Sequence, residues 1–220
     1  MKHAPPKAVA FDLDGLLFNT EQLYPRVLDE VLQRRGLRYT EDLVHQMMGR
    51  PGPVALQIMV DHHQLPDSVP ALMAECDVIF RGILETDAAL MPGVLNLLDK
   101  LEHANFPKAI ATSSHLKYVE WLLSRFDLKD RFRFLLTAED VTHGKPNPEI
   151  YLKAAEGLKV QPSEMLVLED SQNGCKAAVA AGTIAVAVPG EHSAKHDFTG
   201  ARLIASSLVD PRLWELLGIS

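Results

Sequence analysis

The chain has 220 residues, of which 47% are hydrophobic and 23% charged, and its formal net charge is −7 at pH 7. This length suits one domain with an insertion or two small domains, and the apolar fraction is sufficient for a globular core. The acidic balance disfavours nucleic acid and anionic membrane surfaces as partners, and no apolar stretch reaches the length of a membrane span.

The cysteine content and the N-terminal residues bear on the cellular compartment. Cys76 and Cys175 are far apart and form no CxxC pattern, so we expect two buried, reduced thiols rather than a disulfide. Residues 1–6 lack the apolar segment of a signal peptide. We therefore expect a cytoplasmic protein, and we take a monomer as the starting assumption.

The first predicted strand ends in two acidic residues. The apolar run over residues 8–11 is typical of a buried parallel strand, and Asp12, Asp14 and Gly15 follow it. Open α/β sheets place their chemistry at the carboxyl ends of such strands. A carboxylate there can act as a nucleophile or bind Mg²⁺. An Asx turn after a strand is the structural alternative for this pair taken alone.

The next stretch, residues 18–89, contains only helical patterns. The predicted helices span residues 21–35, 40–48, 53–63 and 68–84, and Leu23, Val27 and Val31 share one apolar face of the first. An all-helical block directly after the first strand is typical of an insertion at the active-site end of the sheet. Such an insertion could close as a lid.

Strands and helices alternate in the remainder of the chain. The predicted strands are 107–112, 134–137, 165–169, 183–188 and 203–205, and the predicted helices are 94–104, 116–126, 148–157 and 174–181. This alternation indicates a parallel sheet with helices on both faces. We predict an α/β, doubly wound, Rossmann-like core from residues 1–17 and 90–220, with a helical cap inserted at residues 18–89.

Polar residues follow three further strands. Thr112, Ser113 and Ser114 lie at the tip of the second strand, where hydroxyls and helix N-terminal amides can bind an anion, although a simple N-cap is a common alternative. Lys145 lies in the loop after the third strand, with prolines at positions 146 and 148. The prolines could hold the lysine where it balances the charge of a phosphoryl group. The alternative is a lysine in an ordinary solvated loop before a helix. Glu169 and Asp170 end the fourth strand, where a cation near Asp12 and Asp14 would explain them.

Taken together, these strand ends contain every group that phosphoryl transfer requires. The reaction needs a nucleophile, a metal ion, anion-binding amides and a cationic side chain. No GxGxxG or GxxxxGK[ST] motif occurs in the sequence, so binding of a dinucleotide or a nucleoside triphosphate has no support.

The same motifs resemble the haloacid dehalogenase-like hydrolase superfamily over nearly the whole chain. The residues that carry the resemblance are Asp12-x-Asp14-Gly15, Thr112-Ser113-Ser114, Lys145-Pro146 and Glu169-Asp170. Further motifs are similar to the group that contains pseudouridine-5′-phosphatase and β-phosphoglucomutase-like proteins. These are Asp14-Gly15-Leu16-Leu17, Thr20-Glu21-Gln22-Leu23-Tyr24, Met48-Gly49-Arg50, Ala89-Leu90-Met91-Pro92-Gly93 and His143-Gly144-Lys145-Pro146.

The resemblance implies a role for each matched residue. Asp12 would attack phosphorus and form an aspartyl-phosphate, while Asp14 would act as the acid and base and lend its backbone carbonyl to Mg²⁺. Thr112, Ser113 and Ser114 would bind the phosphoryl group, with Lys145 balancing its charge. Glu169 and Asp170 would complete the Mg²⁺ site with Asp12 and Asp14, and Arg50 in the cap would face the substrate or its phosphate group.

One position departs from the family pattern. Asn19 stands before Thr20 where the family usually has Asp. The amide keeps hydrogen bonding but loses the charge, which affects any charge-dependent role in a cap hinge and leaves the catalytic pair untouched.

These observations predict an Mg²⁺-dependent phosphatase that acts on a small phosphorylated metabolite, such as a sugar phosphate or a nucleoside monophosphate-like compound. A β-phosphoglucomutase-type mutase and a non-enzymatic phosphate-binding regulatory protein are the alternatives. A dehalogenase is disfavoured, because in that branch the acid at the position of Asp14 is replaced.

Overall fold

The central feature of the protein is a six-stranded parallel sheet. The computed structural model describes residues 5–47, 50 and 52–219. The strand order is β3-β2-β1-β4-β5-β6, and every neighbouring pair is parallel. The strands are β1 Ala8–Phe11, β2 Lys108–Ala111, β3 Leu135–Leu136, β4 Met165–Glu169, β5 Ile184–Ala187 and β6 Leu203–Ile204.

The α-helices of the described residues follow in chain order. They are α1 Thr20–Gln33, α2 Glu41–Met47, α3 Gly52–His63, α4 Val69–Asp87, α5 Val94–His103, α6 Leu116–Arg125, α7 Glu149–Leu158, α8 Gln172–Ala180 and α9 Pro211–Leu217. None of them is long and apolar enough to cross a membrane. The α/β, doubly wound fold predicted from the alternation of elements is confirmed.

The contacts divide the described residues into two compact units, with the boundaries after Phe18 and after Ala89. The sheet and helices α5–α9 form the first unit. The second unit, Asn19–Ala89, contains α1–α4, in which α1 packs on α4 and α3 packs on both α2 and α4. The first boundary lies one residue later than the predicted division at 17/18.

The core of the first unit follows from the period of two along its strands. Ala8 and Ala10 of β1 face the same apolar cluster as Ala109 and Ala111 of β2. Because alternate residues of a strand point to opposite faces, these alanines form one small-residue surface of the sheet. Helices α7 and α8 pack their alanines and Tyr151 against that surface.

The second unit has the amphipathic face that the sequence predicts. Leu23, Val27 and Val31 of α1 are all buried. At the end of this helix Arg35 donates to the carboxylates of Asp67 and Glu75, at 2.9 and 2.7 Å for its Nη2 atom. These ion pairs connect the residues after α1 to the segment before α4 and to α4 itself.

Most helix bounds differ from the predicted ones by one to three residues, and one helix is additional. Helix α9 was not predicted, although Asp210 caps it, Pro211 occupies its first turn and Gly218 ends it with φ +70°. Helix α8 begins at Gln172, before the predicted start at residue 174, because the Ser171 side chain accepts from the Gly174 amide. Helix α4 extends three residues beyond its predicted end at residue 84.

Candidate active site

Asp12 lies immediately after β1, at the carboxyl end of the sheet. Its backbone N–H donates to the carbonyl of Leu168 at 3.0 Å, which extends the β1–β4 ladder and fixes the residue. The residue is only 7% exposed. Burial raises the pKa of Asp12 well above its ordinary value; the Lys145 ammonium opposes this shift, and the carboxylates of Glu169 and Asp170 reinforce it.

Lys145 is the cationic partner of this carboxylate. Its Nζ donates to Asp12 Oδ1 at 2.6 Å, to Glu169 Oε1 at 2.7 Å and to the carbonyl of Ala111 at 2.9 Å. These three bonds use all three ammonium protons. Burial by itself would lower the pKa of Lys145, but the two carboxylates outweigh it and the pKa lies above its ordinary value. The lysine is therefore charged at neutral pH.

Glu169 is held on both of its oxygens. Besides Lys145, Oε1 accepts from the Tyr151 hydroxyl at 2.6 Å, while Oε2 accepts from the hydroxyl and the amide of Ser171 at 3.0 and 3.3 Å. Gly174 leaves room for this carboxylate, because a Cβ there would lie 1.7 Å from Oε1. Glu169 therefore orients Lys145 as well as contributing charge to the site.

Three buried carboxylates could together hold a metal ion. One oxygen each from Asp12, Glu169 and Asp170 can lie within 4.8 Å of one another. Oxygen-only ligands suit a hard cation such as Mg²⁺. Lys145 offsets only one of the three negative charges if all are ionised, so the donor set fits a divalent cation. Asp170 is also contacted by Nε2 of His192, at 2.7 Å from its Oδ2 atom.

The side chain of Asp14 lies among hydroxyl groups. Its Oδ2 accepts from Ser114 Oγ at 2.6 Å, and its Oδ1 accepts from the Tyr118 hydroxyl at 2.8 Å. The group of carboxylate oxygens described above does not include it. These two hydroxyl groups therefore fix the orientation of the Asp14 side chain.

Thr112 and the two serines form the turn between β2 and α6. Thr112 is buried, its amide donates to the Leu136 carbonyl, and its hydroxyl accepts from the Ser114 amide at 3.1 Å. Ser113 is exposed. At the start of α6 the Leu116 amide is bound by the carboxylate of Glu139, at 3.1 Å from Oε2. The turn of residues 112–114, rather than the helix terminus at Leu116, is therefore the candidate phosphate site.

Arg50 belongs to the second unit. It is exposed, and its Nε donates to the Gln46 carbonyl at 2.8 Å. Met48 and Gly49, which complete its motif, lie outside the described residues. Its predicted contact with a substrate stays a prediction.

Asn19 connects the two chain segments that enter and leave the second unit. Its Nδ2 donates to the carbonyl of Asp87 at 3.1 Å, and its Oδ1 accepts from the amide of Ala89 at 2.9 Å. A carboxylate could make only the second of these bonds, because it has no N–H to donate. The amide therefore suits this position in the present chain.

Three residues of this site were missed by sequence reasoning. Tyr118 contacts Asp14, Tyr151 contacts Glu169, and His192 contacts Asp170. Tyrosines within predicted helices are usually packing residues, and the histidine, which lies in a short 3-10 helix between β5 and β6, belongs to no recognisable motif. Only the fold brings these side chains to the ends of β1 and β4.

Known proteins resemble this chain over most of its length. The family model described as haloacid dehalogenase-like hydrolase matches residues 9–188. A phosphorylated carbohydrates phosphatase of Thermotoga maritima is 35% identical over 80% of this chain and 82% of its own length. A probable pseudouridine-5′-phosphatase of Drosophila melanogaster is 35% identical over 91% of this chain and 89% of its own length.

A solved structure gives the same result. The crystal structure of a putative β-phosphoglucomutase from Thermotoga maritima superposes with a TM-score of 0.80 at 31% identity, and the match covers 96% of this chain and 97% of that one. The chain therefore belongs to the haloacid dehalogenase-like hydrolase family, in the group of pseudouridine-5′-phosphatase and β-phosphoglucomutase-like proteins, and it is a hydrolase of the phosphatase type.

Proposed function

We propose that the protein is an Mg²⁺-dependent phosphatase that hydrolyses a small phosphorylated metabolite through an aspartyl-phosphate on Asp12. The observation that carries this proposal is the contact of Lys145 with both Asp12 and Glu169 at the carboxyl end of the sheet. A cation held there can balance the charge that develops when a carboxylate attacks a phosphoryl group.

For the remaining groups we propose the roles that their family motifs imply. Asp12 is the nucleophile, and Asp14 protonates the leaving oxygen and then takes a proton from the attacking water. The hydroxyl of Thr112 and the amide of Ser113 hold the phosphoryl oxygens, with Ser114 beside them. Arg50 contacts the substrate from the second unit, which acts as a lid.

Mg²⁺ would be held by Asp12, Asp170 and the backbone carbonyl of Asp14, with Glu169 beside them. When bound, it supplies positive charge against the phosphoryl oxygens and so eases the approach of an anionic nucleophile. The buried, oxygen-only set of carboxylates supports this choice of metal over zinc.

The substrate class rests on the relatives. Their names describe phosphatases of phosphorylated carbohydrates and of pseudouridine 5′-phosphate. A sugar phosphate or a nucleoside monophosphate-like compound is therefore the first class to test. A monomeric, cytoplasmic enzyme without a nucleic-acid or membrane partner remains part of this proposal.

The second candidate function is a phosphosugar mutase, which the likeness to a putative β-phosphoglucomutase favours. In the mutases that the chain resembles, a cap histidine shortly after the first motif gates the acid–base Asp. Helix α1 contains no histidine, and Tyr24 stands near that place. Burial raises the pKa of Tyr24 to about 12, so its phenol does not titrate near neutral pH. Net hydrolysis is therefore the favoured outcome.

A panel of phosphorylated metabolites with a phosphate-release readout tests the proposal. We expect turnover by the wild type and none by Asp12→Asn, which keeps the size of the side chain. Ordinary activity in Asp12→Asn would remove Asp12 from the mechanism. An inert wild type across the panel would favour a non-enzymatic phosphate-binding protein.

A second assay separates hydrolysis from phosphoryl transfer to a sugar. The protein is incubated with β-glucose 1-phosphate and a bisphosphate primer, and glucose 6-phosphate and free phosphate are followed together. Rapid isomerisation with little phosphate release would establish the mutase instead.

A further inference from the structure

Two hydroxyl groups hold the carboxylate of Asp14, and one of them comes from a residue outside the family motifs quoted above. Tyr118, in the first turn of α6, donates its hydroxyl to Asp14 Oδ1 at 2.8 Å, and Ser114 donates to Oδ2 at 2.6 Å. All three residues belong to the unit that contains the sheet. Asp14 and Tyr118 are half-buried, so these bonds are partly shielded from water.

We propose that Tyr118 is a positioning residue, which holds the carboxylate of Asp14 where it can exchange a proton with the leaving oxygen and then with water. The inference rests on the proposed function, in which Asp14 is the acid and base. It assigns to Tyr118 no contact with the substrate.

The two chemical steps show why this group must be held. In the first step a bond forms between Asp12 and phosphorus, the bond from phosphorus to the leaving oxygen breaks, and the Asp14 proton goes to that oxygen. In the second step water attacks phosphorus, its proton goes to Asp14, and the bond from Asp12 to phosphorus breaks. Each proton transfer requires the donor and acceptor oxygens to lie within about 2.6–3.2 Å of each other. A small displacement of the Asp14 carboxylate therefore slows both transfers.

A tyrosine hydroxyl can hold Asp14 whether the Asp14 side chain is ionised or protonated. It donates a hydrogen bond to a carboxylate and accepts one from a carboxyl group. Each carboxylate oxygen has two lone-pair directions, so the bonds from Ser114 and Tyr118 leave Asp14 able to contact a substrate. Because Ser114, Tyr118 and Asp14 share one compact unit, the unit that carries the nucleophile also holds the acid–base group.

The dependence of the rate on the leaving group tests the proposal. Tyr118→Phe removes one oxygen and keeps the ring. An alkyl phosphate needs a proton on its leaving oxygen, whereas p-nitrophenyl phosphate expels a weakly basic anion that needs little help. For Tyr118→Phe we expect kcat/KM to fall about tenfold on an alkyl phosphate from the panel, the size expected for the loss of one hydrogen bond. On p-nitrophenyl phosphate we expect a fall of less than about twofold.

The control is Trp121→Phe, an aromatic change at an exposed position of the same helix. It should leave both substrates unaffected, and thermal unfolding should show that both variants fold. An equal loss on the two substrates, or no loss on either, would overturn the role of Tyr118 while wild-type turnover upheld the proposed function. A wild type that released phosphate from neither substrate would instead overturn the proposed function and this inference with it.

Discussion

At the scale of single residues, the geometry of the site depends on a glycine that bears no catalytic group. Gly174 lies in the first turn of α8, and Glu169 occupies the space that a side chain there would take. The Glu169 carboxylate in turn orients Lys145. The position of the Lys145 ammonium therefore depends on the absence of a side chain at Gly174. This chain of contacts connects a packing requirement to the proposed chemistry.

Gly174→Ala should therefore destabilise the protein and lower its activity. The new Cβ would lie 1.7 Å from Glu169 Oε1, so the carboxylate or the helix must move. We expect a loss of about 1–3 kcal/mol in the free energy of unfolding, typical of overpacking, together with a lower kcat. Urea unfolding and phosphate release measure the two effects.

Gly82→Ala is the matched control for that substitution. Gly82 lies inside α4, where an added methyl group would meet no neighbouring side chain within 4 Å. Alanine should therefore raise the free energy of unfolding by up to about 1 kcal/mol through helix propensity. If Gly174→Ala were as well tolerated as this control, Glu169 would not be fixed in the way described.

At the scale of elements, the short helix α9 depends on one capping carboxylate. Asp210 is buried; its Oδ1 accepts from the Arg212 amide at 2.9 Å and its Oδ2 from the Ser206 amide at 2.8 Å. The Arg212 guanidinium contacts the same carboxylate at 2.6 Å. The bond from Arg212, reinforced by the Ser206 amide, holds the pKa of Asp210 well below its ordinary value.

Asp210→Ala should lower the free energy of unfolding by about 2 kcal/mol near neutral pH. The pKa of Asp210 in the folded state lies below its unfolded value of about 3.9. The stability that the ionised carboxylate contributes is therefore present above about pH 4 and is lost as the pH falls through the folded pKa. The difference between wild type and variant should therefore shrink in acid. Urea unfolding at several pH values measures it.

Glu156→Ala, at an exposed position of α7, serves as the comparison, with an expected change within about 0.5 kcal/mol at every pH. If the free energy of unfolding of Asp210→Ala differed from that of the wild type by the same amount from neutral pH into strong acid, the charge of Asp210 would not contribute to stability.

The elements themselves show what a sequence can predict here. The fully buried β4 matches its predicted bounds, and the core helices differ from theirs by only one or two residues, because apolar periodicity marks them clearly. Helix α9 has both a capping Asp-Pro start and a Gly end, so its local signal was available. Tyr118 has no such signal, since it lies 104 residues from Asp14 and meets it only after folding.

At the scale of the whole molecule, the strand order explains where the site forms. The chain proceeds from β1 to β2 and β3 on one side and then continues on the other side with β4, β5 and β6. Ligands of open α/β sheets bind where neighbouring strands connect in opposite directions, which is here between β1 and β4. Asp12 follows β1, and Glu169 and Asp170 stand at the end of β4.

Metal binding at this point should stabilise the entire fold. A ligand that binds only the folded state adds about 2.7 kcal/mol at a hundredfold excess over its dissociation constant. We expect Mg²⁺ to raise the melting temperature of the wild type and chelation to stop phosphate release. Asp170→Asn should show a much smaller thermal shift. Equal shifts for wild type and variant would place the metal elsewhere.

The central claim is that Asp12 forms a covalent bond to phosphorus, and acid quenching during turnover tests it most directly. Peptide mass spectrometry of the quenched wild type should find one phosphoryl group on Asp12, and none should appear on Asp12→Asn treated in the same way. Steady phosphate release with an unmodified Asp12 peptide, or a phosphoryl group that persists on the Asp12→Asn protein, would contradict the account.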